Sequence, residues 1–162
     1  MSDFASSYLG RLRASVGSRL LLVPGARVVI EDSQDRVLME LRSDFGIWGL
    51  PGGVPDERED IVTCAVRETL EETGLQIFDL VPFGFASHPD AEVWTYPNGH
   101  VCHYFSMMFT TRRFLGTAAS AGGENLKVGW FRPDALHEVL PTVSRTIEAF
   151  LRWKATGAFQ MI

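Results

Sequence analysis

Cysteine is scarce: Cys64 and Cys102 are the only two in 162 residues. Two thiols make no disulfide framework, so a reducing cytoplasm is the expected compartment. Cys64 falls in a helical stretch next to its acidic face, where it reads as a small buried thiol. His88, His100, His103 and His137 show no ligand spacing, so no zinc pattern competes and each reads as structural. Positive charge is also short. Fifteen Lys and Arg face 20 Asp and Glu, a net charge of −5. That argues against polymeric nucleic acid as a partner, which needs a basic patch. A nucleotide substrate stays compatible, because metal ions neutralise phosphates. Long apolar runs are missing. Residues 20–23 are too few to cross a bilayer, and the first 26 residues lack the order of a secretory signal. No membrane association is expected. There is no internal repeat and no low-complexity tract.

What is present suits a single domain with a substantial core, since 46% of the residues are hydrophobic. Tyr8–Val16 reads as a short helix with Tyr8, Leu9, Leu12 and Val16 on one side, packed on the domain or on a second subunit of a homodimer. Residues 26–31 and 36–41 are β-rich around Asp32-Ser33-Gln34-Asp35 and read as a hairpin. Residues 42–50 read as a loop, and Pro51-Gly52-Gly53 as a tight turn. An apolar, β-prone stretch covers 75–86, a loop 88–99, a long strand 101–112, a flexible connection 116–125 and a further strand 126–131. Pro133 and Pro141 each introduce a helix, the second reaching about Lys154. The order of strands and helices indicates a mixed α/β sandwich.

Residues 53–75 read GVPDEREDIVTCAVRETLEETGL. Asp60 is a good N-cap, Ile61–Thr73 runs without Gly or Pro, and Gly74 is a natural terminator. On a helix advancing about 100° per residue, Glu68, Glu71 and Glu72 fall within about 100° of one another. Val62, Val66, Thr69 and Leu70 project from roughly the opposite side, as an expected core face. Like charges at i,i+3 and i,i+4 repel, and a cation offsets that repulsion. Clustered carboxylates without a soft ligand favour Mg²⁺ or Mn²⁺. For the glutamates alone, a solvated acidic face is the competing reading.

The whole pattern, G-x5-E-x7-R-E-x2-E-E-x-G, comprises Gly53, Glu59, Arg67, Glu68, Glu71, Glu72 and Gly74. It resembles the Nudix box, the signature of hydrolases that cut a diphosphate linked to another moiety. Thr69 departs from it, since the family prefers a bulky aliphatic residue there. The resemblance implies an α/β fold, a Nudix-type α/β/α sandwich with a mixed sheet between helices. It divides the chain into an N-terminal helical extension (1–25), a hydrolase domain (26–154) and a tail (155–162). It implies that Glu68, Glu71, Glu72 and the Gly52 carbonyl bind the metal, and that Arg67 and Glu59 form a supporting ion pair. The general base differs among members. It is either a box glutamate or an acid in a loop before a late strand, the position Glu124 resembles. Many members carry an arginine and a tryptophan before Pro-Gly-Gly, matched by Arg42 and Trp48. Arg42 is suited to grip a phosphate, and Trp48 either walls the pocket or packs in the core.

Trp94-Thr95-Tyr96-Pro97-Asn98-Gly99-His100 is similar to a loop of a bacterial Nudix subgroup. Tyr96 there either stacks on a base or packs the turn. The family's ADP-ribose-specific members carry a proline shortly after the box, and Pro89 lies slightly off that register. The expected substrate is a nucleotide-like small molecule, a nucleoside diphosphate linked to another moiety such as ADP-ribose or a sugar. A (d)NTP pyrophosphatase is the alternative within the class. A non-catalytic nucleotide-binding regulator is the alternative outside it, and the intact box argues against that one. A prenyl-diphosphate isomerase shares the fold, but its cysteine context is not evident.

Overall fold

The computed structural model describes residues 5, 7–120 and 125–162. In chain order the elements are α1 (Tyr8–Val16), β1 (Leu21–Ile30), β2 (Val37–Arg42), β3 (Trp48–Gly49), β4 (Gly52–Gly53), α2 (Ile61–Thr73), β5 (Gln76–Phe78), β6 (Val81–Ala86), α3 (Pro89–Glu92), β7 (Val93–Thr95), β8 (Val101–Thr111), β9 (Arg113–Leu115), β10 (Asn125–Phe131), α4 (Pro141–Thr156) and β11 (Gln160–Met161).

The main sheet is mixed, in the order β11-β6-β8-β1-β4, with β7 also paired to β8. Its centre is the parallel pair of β1 and β8, running from Leu21↔Cys102 to Ile30↔Thr111. β10, β2 and β3 form a second sheet, and β5 with β9 a third. Alternation along the strands sends side chains to two cores. Val28, Ile30 and Leu38 pack with Cys64 and Ala65 of α2. Val29, Val37 and Met39 point the other way, onto Val143, Ile147 and Phe150 of α4. Strands covered on both faces have no polar alternation, which is why these segments read as continuous apolar runs. The result is the expected α/β/α sandwich.

Several local expectations change. The turn at Asp32 is present, with the Asp32 carboxylate accepting the Gln34 and Arg36 N–H groups at 2.9 Å each. Past the single Glu31↔Val37 bridge, however, β1 and β2 part into different sheets, so they are not a hairpin. The 42–50 loop contains β3, and the 88–99 loop contains α3 and β7. No helix follows Pro133 among the described residues, where the chain makes a turn. Within the 155–162 tail, Gln160–Met161 forms β11, which extends the main sheet in parallel with β6. On α1 the deepest residues are Gly10 and Arg13, while Tyr8 is exposed. No helix among the described residues is long and apolar enough to cross a membrane.

Candidate active site

α2 begins and ends where its sequence places it. The Asp60 carboxylate caps the Val62 and Thr63 N–H groups at 2.9 and 3.0 Å, and Gly74 closes the helix in the left-handed conformation at φ 71°. Its buried face differs from expectation. Cys64, Ala65, Thr69, Glu72 and Thr73 are buried, whereas Val62 and Leu70 are exposed. The acidic stripe therefore starts inside the protein at Glu72 and runs outward to Glu71.

Two glycines make this approach possible. A Cβ on Gly52 would stand 2.1 Å from the Ala26 carbonyl oxygen, where β4 pairs with β1. A Cβ on Gly53 would stand 2.3 Å from the Glu68 carboxylate. Only glycine lets the backbone and the carboxylates come this close. The Gly52 N–H donates to Glu72 Oε2 at 2.9 Å.

Arg67 organises the outer carboxylates. Its Nε and Nη2 donate to the two Glu59 oxygens at 2.8 Å each, and Nη2 also donates to the Val54 carbonyl. Its Nη1 lies 3.1 Å from Glu68 and 3.5 Å from Glu71. The hydrogen bonds from Arg67 hold the Glu59 carboxyl below the usual range, and Glu59 in turn raises the Arg67 guanidinium further. The expected pair is thus present, and the same guanidinium draws Glu68 and Glu71 together.

The inner carboxylates are under opposite pressure. Burial pushes the Glu72 carboxyl well above the ordinary value, and the nearby Glu40 carboxylate adds to this. Glu40 is itself 1% exposed. Asn125 bridges the two residues, donating from Nδ2 to Glu40 Oε2 at 2.8 Å and to the Glu72 carbonyl at 2.6 Å. Sequence reasoning missed Glu40 and Asn125. The signal for Glu40 was a charge inside the apolar strand Val37-Leu38-Met39-Glu40-Leu41.

Among the described residues, no three His, Cys, Asp or Glu side chains are gathered closely enough to cage an ion by themselves. The donor chemistry nevertheless fits a hard divalent cation. The oxygens of Glu68, Glu71 and Glu72 lie on one side of α2, the Gly53 backbone cradles Glu68, and the desolvated Glu72 carboxylate gains from an added positive charge. Glu124 lies outside the described residues.

A cavity of about 700 Å³ opens from this acidic edge and takes in Arg42, Gly52, Glu68, Glu71, Tyr96 and Tyr104. The Tyr96 and Tyr104 hydroxyls are 2.6 Å apart, and the Tyr96 ring lies 5.7 Å from Phe45, which also meets Trp94 at 5.8 Å. Burial raises both phenols. Arg42 reaches the cavity, but its fork is held by Asp44 at 3.0 and 2.7 Å, with Glu40 at 3.7 Å. A phosphate at Arg42 has to compete with Asp44. Trp48 is not a cavity residue. It packs edge-on against Phe131 at 4.6 Å in the α4 core, so its role as a pocket wall gives way to packing.

Comparison with known proteins fits this geometry. The chain is 29% identical over 140 residues to an ADP-ribose pyrophosphatase of Methanocaldococcus jannaschii, covering 84% of this chain and 78% of that one. It is 43% identical over 65 residues to a CMP-5'-(N-acetyl-N-hydroxy-3-aminopropyl)phosphonate hydrolase of Streptomyces rubellomurinus, and 44% over 50 residues to a putative 8-oxo-dGTP diphosphatase of Bacillus subtilis. The chain spans about a third of the length of those two relatives, 32% and 34%. Among solved structures, the MutT NUDIX hydrolase of Burkholderia pseudomallei aligns with a TM-score of 0.68 at 25% identity, over 80% of this chain and 98% of that one. The NUDIX domain model matches residues 21–154, and the chain belongs to that family.

Proposed function

We propose that the protein is a divalent-metal-dependent pyrophosphohydrolase acting in the cytoplasm on a nucleoside diphosphate linked to another moiety. One observation carries this reading: a single cavity joins the acidic edge of α2 to the aromatic wall of Tyr96, Tyr104 and Trp94. That arrangement suits a substrate with a diphosphate at one end and a ring system beside it.

Glu68, Glu71, Glu72 and the Gly52 carbonyl would hold Mg²⁺ or Mn²⁺, which would supply charge neutralisation at the phosphate oxygens and a more acidic water. The chain's own residues do the positioning. Arg67, anchored by Glu59, fixes the rotamers of Glu68 and Glu71, and the Gly52 N–H fixes Glu72. Phe45 and Tyr96 offer the flat surfaces on which a base or sugar rests. The water oxygen bonds to phosphorus as the bridging P–O bond breaks, and the bridging oxygen leaves with the second phosphate. The water's proton passes to a carboxylate, Glu124 in this reading and otherwise Glu68. The products are a mononucleotide and a phosphorylated remainder.

The similarity to the M. jannaschii ADP-ribose pyrophosphatase, which extends over most of both chains, supports a diphosphate linked to a sugar. The second reading, a (d)NTP pyrophosphatase, is supported by the shorter match to the B. subtilis protein. A panel of sugar nucleotides, dinucleotides and (d)NTPs, scored for both mononucleotide and inorganic phosphate or pyrophosphate release, separates the two. Mononucleotide with a sugar phosphate supports the first, and pyrophosphate from a (d)NTP the second.

A further inference from the structure

The whole of α1 precedes the matched family domain, yet this helix forms part of the cavity. Ser7, Leu9 and Arg13 line it alongside Cys102 and Tyr104. The register locates this end. Ser106 pairs with Gly25, whose neighbour Ala26 pairs with Gly53 of the acidic site. Cys102 lies four residues further along β8, roughly 13 Å away at the usual strand rise. α1 therefore stands at the far end of the cavity, beyond Tyr104.

Arg13 holds it there. The residue is 4% exposed, and four of its N–H donors are used. Nη1 donates to the carbonyls of Gly17 and Arg19, and Nη2 to the Val101 carbonyl and the Cys102 sulfur, the last at 3.0 Å. The first two close the C-terminal end of α1, and the last two tie it to the start of β8. The Arg11–Glu57 pair at 2.8 Å joins the helix to the loop before α2, but it is exposed and contributes little. Among the described residues, the Arg13 guanidinium is a buried polar tie between α1 and β8.

We propose that α1 is the closing wall of the substrate cavity, and that Arg13, by latching it, is a specificity-determining residue that restricts the group lying along β8 to a compact one. Arg13 is a positioning residue here, acting through the wall. The inference rests on the pyrophosphohydrolase reading for its substrate class, but not for the wall itself.

Two measurements on the full chain test it. The first is kcat/KM for ADP-ribose and for NADH, which share the adenosine diphosphoribose and differ by the nicotinamide ring. The second needs no activity: the rate at which iodoacetamide alkylates Cys102, which lies beneath Arg13. Cys64 is the internal control, because burial pushes its thiol up to about 12. Arg13→Ala is expected to raise the NADH/ADP-ribose ratio by about 10-fold or more, and Leu9→Ala, which keeps the guanidinium beside the Cys102 sulfur, to speed Cys102 alkylation by about 10-fold or more. Arg13→Lys, with one ammonium for four acceptors, falls between. If Arg13→Ala does not fold, Leu9→Ala opens the same wall without touching the latch and is read in the same way. Unchanged alkylation overturns the wall. Faster alkylation with an unchanged ratio overturns the specificity role. Hydrolysis of neither compound by the wild type counts against the pyrophosphohydrolase reading, and the alkylation rate then decides the wall alone.

Discussion

The Gly52 N–H donates to the Glu72 carboxylate at 2.9 Å, joining the turn before α2 to the buried end of its acidic stripe. This bond lowers the Glu72 carboxyl less than burial and Glu40 raise it. Between the unfolded value of about 4.3 and the higher folded value, the native protein binds more protons than the unfolded chain. Stability from this group is therefore full below about 4.3 and falls as pH rises through the folded pKa. In EDTA, Glu72→Gln should match the wild type in Tm near pH 4 and exceed it by about 2–4 °C at neutral pH, the equivalent of roughly 1 kcal/mol. Turnover should fall by roughly 100-fold or more. A variant that melts lower than the wild type at neutral pH would contradict the assignment.

Thr69 is fully buried, and its hydroxyl has no hydrogen-bond partner among the described residues. This is the position where the box departs from the family preference for an aliphatic residue. Thr69→Val keeps the shape and removes the unsatisfied oxygen, which costs about 1–3 kcal/mol. Thermal melts should show a rise of about 2–12 °C. A fall would mean that the hydroxyl has a partner.

Asn125→Ala should destabilise the protein and weaken the metal site together. It strips a donor from both Glu40 and the Glu72 carbonyl, at a cost of about 1–3 kcal/mol. The Mg²⁺ concentration for half-maximal activity should rise about 10–100-fold, as for other residues that support ligands from behind. A drop in Tm without any change in Mg²⁺ dependence would leave Asn125 a purely structural role.

Glu124→Gln tests the base assignment. Residues 121–124 immediately precede β10, whose first residue, Asn125, bonds to α2. A carboxylate there is close in sequence to a fixed point beside α2. The variant should lose kcat with little change in Tm. Unchanged kcat would pass the role to Glu68.

The sequence was most legible where local rules act alone. Asp60 and Gly74 bound α2 in the structure as in the sequence, because capping needs only neighbouring residues. The grouping of Glu68, Glu71 and Glu72 on one side of α2 followed from helical spacing. Partners distant in sequence were less visible. Asn125 meets Glu40 across 85 positions, and no periodicity reports that contact. The strands flanking Asp32 obey hairpin rules at their turn, yet tertiary pairing sends β1 to β8 and β2 to β10. The helical wheel placed Val66 and Thr69 against the core, as they are, but also Val62 and Leu70, which are exposed, while Cys64 and Ala65 make the main contact with the sheet. α1 showed an apolar side at its expected bounds, while the residue that anchors it is the charged Arg13.

The most direct test of the central claim is mononucleotide release from ADP-ribose by protein stripped with EDTA and then titrated with Mg²⁺. It is best read with the wild type, Glu71→Gln and Glu72→Gln side by side. The expected result is no turnover without metal, recovery with Mg²⁺ that increases towards alkaline pH, and little recovery in either variant. Full turnover in excess EDTA, or near wild-type turnover by both variants at saturating Mg²⁺, would contradict it.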